Sequence, residues 1–169
     1  MSLLPIISNA LVFGVVLGSI LFATILVVVR INPEIMLRGY PPDVQAEHGP
    51  MSDRSHRQKL LVAILVLAEM IGVIVASLAP ILDDAHAAGL FPTLFVHFFV
   101  MFSVINVLDW LVLDWLIVVG LRPSFLILPG TQGMAGYRDY AFHFRGFLIG
   151  IPITLAASLV LAALVTLLR

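Results

Sequence analysis

Four long apolar runs, separated by polar segments, constrain this chain more than any other feature. Pro5 to Val29 carries no charge, and runs from Leu60 to Leu82, Phe91 to Leu121 and Phe147 to Leu168 follow it. A helix needs roughly 20 apolar residues to cross the hydrocarbon of a bilayer, and each run exceeds that. The spacing therefore predicts an all-α integral membrane protein, a four-transmembrane-helix bundle, with helices over residues 5–30, 59–82, 91–121 and 146–168. The runs leave no room for a separate soluble domain, so residues 1–169 read as a single membrane domain. The first run lacks a basic n-region and is too long for the h-region of a signal peptide, so it reads as a span.

Composition closes off several function classes. Residues are 61% hydrophobic and 11% charged, whereas a soluble domain is about half apolar and a quarter charged. With 9 Lys+Arg against 10 Asp+Glu the formal net charge is −1, which excludes a polybasic nucleic-acid binder. No nucleic-acid partner is expected; the expected surroundings are the lipid bilayer. Cysteine is absent, which removes disulfide frameworks, thiolate metal sites and cysteine nucleophiles. The sole lysine, Lys59, sits at a segment boundary, which excludes a retinal Schiff base inside the membrane. No residue pattern names a cofactor, and no metal site is expected.

Orientation follows from the basic residues. Arg30, Arg38, Arg54, Arg57 and Lys59 fall in or beside the first connection, and Arg122, Arg138 and Arg145 in the second. By the positive-inside rule the loops 31–58 and 122–145 are cytoplasmic, and the topology is N-out/C-out. An inner or plasma membrane of bacterial type is the assumed location. The first loop is rich in Pro and Gly and reads as extended, with a short helix around Glu34 to Arg38. The second opens on an apolar stretch, turns at Pro129-Gly130, and ends in aromatic and charged residues. The two halves share a helix–loop–helix layout, with no internal repeat evident.

Helices associate in lipid through close packing of small residues. Ladders at i, i+4 occur at Ala10, Gly14 and Gly18, at Ala68, Gly72 and Ala76, and from Gly146 through Gly150, Thr154, Ser158 and Ala162 to Thr166. Such faces serve packing within one bundle and equally permit a homo-oligomer or a place in a larger membrane complex.

Ionisable residues inside a span are costly and call for a partner or a purpose. Glu69, Asp109 and Asp114 are such residues, accompanied by Asn106. Matching the midpoints of the second and third spans puts Glu69, Asn106 and Asp109 at similar depth. Asp114 lies about 7 Å nearer the cytoplasm at the helical rise per residue. Glu69 shares a helical face with Gly72 and Ala76, so it is expected to point at a neighbouring helix. Asp109 and Asp114 are five apart, which is not the i, i+3 or i+4 spacing of a helical metal pair. Asp114 has a second reading, an interfacial pair with Arg122, Arg138 or Arg145. His97 reads as a packing histidine in the outer half. In the second loop Arg138, His143 and Arg145 are suited either to gripping an anionic head group or to anchoring the loop at the interface.

Three functions stay open on these grounds. The first is an oligomeric protein with an intramembrane polar site, Glu69, Asn106, Asp109 and Asp114, suited to proton or cation coupling or transport. The second is a lipid- or anion-binding module, or an enzyme, built on loop 122–145 at the cytoplasmic face. The third is an accessory subunit of a larger membrane complex.

Overall fold

The computed structural model describes residues 3–84 and 89–169, which form helices, turns and loops with no strand among them. In chain order the helices are α1 (Leu3–Ile31), a short α2 (Pro42–His48), α3 (Asp53–Asp84), α4 (Leu90–Leu108) and α5 (Tyr140–Leu168). A π-helix over Asp109–Leu121 continues α4 without a break. Single 3-10 segments at Pro33–Gly39, Ser124–Leu126 and Ala135–Arg138 occupy the longer connections. The four long helices, one for each apolar run, are long and apolar enough to cross a membrane.

Two helices start about one turn or more before their apolar runs. α3 begins at Asp53, not residue 59, and α5 at Tyr140, not residue 146. Both have an acidic residue at the start, where the helix dipole favours it. At α5 this is an N-cap, because Asp139 Oδ1 accepts a hydrogen bond from the Phe142 amide at 2.8 Å.

α4 packs between α1 and α5, and α3 lies on the far side of α1. The contacts depend on missing side chains. A Cβ on Gly14 would come within 2.9 Å of the Met101 carbonyl, and one on Gly150 would overlap the Asn106 amide. Ala10, Gly14 and Gly18 of α1 and Thr154, Ser158 and Ala162 of α5 are buried, as their ladders lead one to expect. The α3 ladder departs from expectation: Gly72 and Ala76 are exposed, with nothing within 4 Å of a Cβ on Gly72. The reason is that α3 leans on α1 along most of its length and meets α4 only near its C-terminal end, through Ser77, Leu78 and Ile81.

The main core sits toward the end of the bundle that holds the chain termini, around Ala10, Leu94, Phe98, Met101 and Ala162, all fully buried. At the opposite end the two longer connections fold onto one another as a cap with its own small core of Leu37, Tyr40, Val44, Leu128 and Tyr137. Tyr40 and Tyr137 meet edge to face at 6.0 Å between ring centroids.

Candidate functional site

The cap is held by hydrogen bonds that cross between the connections. The Tyr40 hydroxyl donates to the Leu126 carbonyl at 2.9 Å, and the Gly136 amide donates to Asp43 Oδ2 at 2.9 Å. The Tyr137 hydroxyl accepts from the Leu128 amide at 3.0 Å and lies 2.7 Å from Thr131 Oγ1. Since Thr131 donates its own proton to the Leu128 carbonyl, Tyr137 must be the donor to Thr131. Burial first, and Tyr137 beside it second, raise the Tyr40 phenol above its ordinary range and keep it a donor. On the outer side of the cap, Glu34 ties the start of the first connection to the start of α3. It accepts from the Ser55 hydroxyl at 2.5 Å and from the amide and hydroxyl of Ser52. Burial would raise the Glu34 carboxyl, but these serine donors outweigh it and lower it to about 2.

Beneath the cap lies a cavity of about 560 Å3. Its walls come from the end of α1 (Ile25, Leu26, Val29), from the π-helix and from the first turns of α5. Tyr40, Leu126 and Tyr137 close it from the cap side. The acidic and basic residues on its lining are Asp109, Asp114, His143 and Arg145.

The π-helix explains why two aspartates five apart share this wall. In an α-helix residues i and i+5 lie about 140° apart, on different faces. In the π register the i→i+5 hydrogen bond brings them onto adjacent turns of one face. The Arg122 amide donates to the Ile117 carbonyl at 2.9 Å in this register, and Arg122 then leaves the helix in a left-handed conformation (φ 45°). Trp110 and Trp115 consequently touch, with ring centroids 4.8 Å apart. Leu113 and Val118 line the cavity with the aspartates, while Leu111, Leu116 and Leu121 form an exposed stripe on another side.

His143 closes the site. Its Nδ1 lies 2.9 Å from Asp114 Oδ1, so the partner of Asp114 is this histidine and not one of the arginines weighed from the sequence. The residue is 6% exposed, and its Nε2 is buried with no hydrogen-bond partner. Arg145 reaches outward, 67% exposed, and pairs with Asp139 at 3.7 Å. Arg138 is exposed on the cap and does not line the cavity. Of the predicted anion-gripping trio, the structure brings only His143 fully inside.

The other predicted residues lie apart. Glu69 does not meet Asn106 or Asp109: it accepts a hydrogen bond from Thr24 on α1 at 2.7 Å, and its second oxygen is buried without a partner. Midpoint matching gives depth along the bundle but not the direction a residue faces, and α3 faces α1. Asn106 donates to the Phe147 carbonyl at 3.2 Å and borders a separate void of about 110 Å3 with Ser103 and Thr154. His97 is fully buried, with Nε2 at 3.0 Å from Ser77 Oγ. Ser77 gives its proton to the Ile74 carbonyl, so His97 is the donor to Ser77 and its Nδ1 is left unpartnered. Among the described residues no group of three His, Asp or Glu side chains could hold a metal ion.

Sequence reasoning grouped Asp109 and Asp114 in one polar site but missed the π register that puts them on one wall, although a signal was present. Residues 109–113 read Asp-Trp-Leu-Val-Leu and 114–118 read Asp-Trp-Leu-Ile-Val. This pentad repeat is the register of the π-helix. No protein-family model, curated protein or solved structure matches the chain.

Proposed function

We propose that this protein is a membrane module that takes up an amphipathic, membrane-borne molecule at the capped end of the bundle. The observation that carries the reading is the cavity of about 560 Å3, apolar over most of its wall and bearing Asp109, Asp114 and His143 at one side. Ligand cavities have this make-up: apolar surface supplies contact, and a few polar groups fix orientation. The excess of basic residues in the two longer connections supports a cytoplasmic position for the cap. Cysteines introduced at Asp53 and Gly89, both exposed, test that orientation. Intact cells should shield the first from an impermeant reagent and expose the second.

Filling the cavity tests the binding. Ile149 lines it yet is 63% exposed, so Ile149→Trp should fold and obstruct it. Native mass spectrometry of protein released from nanodiscs should show an amphiphile retained by the wild type and lost from the variant. Equal retention by a folded variant would overturn the reading.

A second reading, proton or cation coupling, is favoured by the unpartnered buried oxygen of Glu69. Flux into proteoliposomes should fall in a folded Glu69→Gln variant if Glu69 exchanges its proton; unchanged flux would leave Glu69 as a clasp between α1 and α3.

A further inference from the structure

We infer that the polar end of the molecule held in this cavity is a protonated primary amine, an inference that rests on the binding reading above. Two observations point to it independently: the charge balance of the lining and the free nitrogen of His143.

The charge balance leaves an acid in surplus. Asp109 and Asp114 both border the cavity, and the Nδ1 contact of His143 goes to Asp114 alone, so Asp109 is left without a partner of its own among the described residues. The guanidinium of Arg145, the one arginine on the lining, is engaged with Asp139 and turned outward. A carboxylate bordered by apolar side chains is costly unless a cation meets it. An ammonium carried in by the ligand supplies that cation, whereas a phosphate or carboxylate head would meet like charge.

The histidine then selects among cations. With Nδ1–H directed at Asp114, Nε2 is an acceptor, and it is buried without a donor opposite it. Leaving such an atom unsatisfied is unfavourable, and a ligand N–H removes the cost. A quaternary ammonium has the charge but no N–H; an alcohol has the donor but no charge. A primary ammonium has one charge and three donors, enough for Asp109 and Nε2 together. Ile25, Leu26, Val29, Val118 and Ile149 offer an apolar lining to the body of the molecule.

The test compares four probes of equal chain length in nanodiscs of zwitterionic lipid: dodecylammonium, dodecyltrimethylammonium, dodecanol and dodecyl sulfate. Dodecylammonium should bind the wild type about tenfold or more tightly than each of the others, the scale of a charged hydrogen bond. Asp109→Asn should abolish that preference, and Glu47→Gln, the loss of an exposed carboxyl outside the cavity, should keep it. Should Asp109→Asn fail to fold, the probe series on the wild type decides alone. Equal binding of the trimethylammonium, alcohol or sulfate probe, still blocked by Ile149→Trp, would overturn the amine inference and leave the cavity as a binding site. Binding of none of the four would overturn both.

Discussion

Residues 90–108 and 109–121 form one continuous helical rod, yet the first stretch lies in the core and the second walls a cavity. In the α-helical stretch Leu94, Phe98, Met101 and Phe102 fall on one face at the spacing of i, i+4, i+7 and i+8, and that face is buried. The close approaches at Gly14 and Gly150 both fall against this stretch, at Met101, Val104 and Asn106. From Asp109 on the register changes to five, Asp109 and Asp114 come onto one wall, and a cavity separates this stretch from its neighbours. One sequence segment thus supplies rigidity and the next supplies a site. Both stretches are mostly apolar, and they differ in how the backbone is wound.

Four measurements break or sharpen that contrast. The largest effect is expected in the packed stretch. Phe98→Ala should cost about 3 kcal/mol or more in denaturant unfolding, whereas Leu113→Ala, beside a space already present, should cost less than half as much. Equal losses would mean that the two stretches are packed alike. Next comes the Asp114–His143 pair. A double-mutant cycle with Asp114→Asn and His143→Gln should give a coupling of about 1–3 kcal/mol, and a value near zero would dissolve the pair.

The π register has its own optical signature. Trp110 and Trp115 touch only if residues five apart share a face, so the near-ultraviolet circular dichroism of the wild type should contain their mutual coupling. Trp115→Phe should abolish it at a cost of about 1 kcal/mol. A spectrum equal to the sum of the two single-tryptophan variants would argue for an α-helical register. The smallest effect belongs to Glu34 at the edge of the cap. Its carboxyl is depressed in the folded protein to about 2 from 4.5, so its contribution is present above 4.5 and lost as pH falls toward 2. Thermal unfolding of Glu34→Gln should therefore vary less over that acidic window than that of the wild type.

The spans were legible because length and hydropathy decide them, and no tertiary information is needed to see that residues 5–30 must leave water. The faces of α1 and α5 were legible too, since Ala10, Gly14 and Ser158 mark them by size alone. The partner of Glu69 was not legible, because three arrangements of four helices around a common axis satisfy the same depth. That Asp109 and Asp114 share one wall was hidden by an assumption. Counting by 3.6 separates Asp109 from Asp114, and only the pentad repeat signals that the count itself changes. The cap was hidden for another reason: segments rich in Pro and Gly carry no periodicity, and the bonds that order Tyr40, Tyr137 and Thr131 are made between connections far apart in the chain.

That distance has a consequence for how the molecule is assembled. The Tyr40–Leu126 and Asp43–Gly136 bonds span 86 and 93 residues, and they join the hairpin of α1 and α3 to the hairpin of α4 and α5. Each hairpin can enter the bilayer by itself as it is synthesised, but neither bond can form until the second connection has emerged. Contacts of such long range close late. The chamber beneath the cap therefore cannot close until both connections and the first turns of α5 are in place.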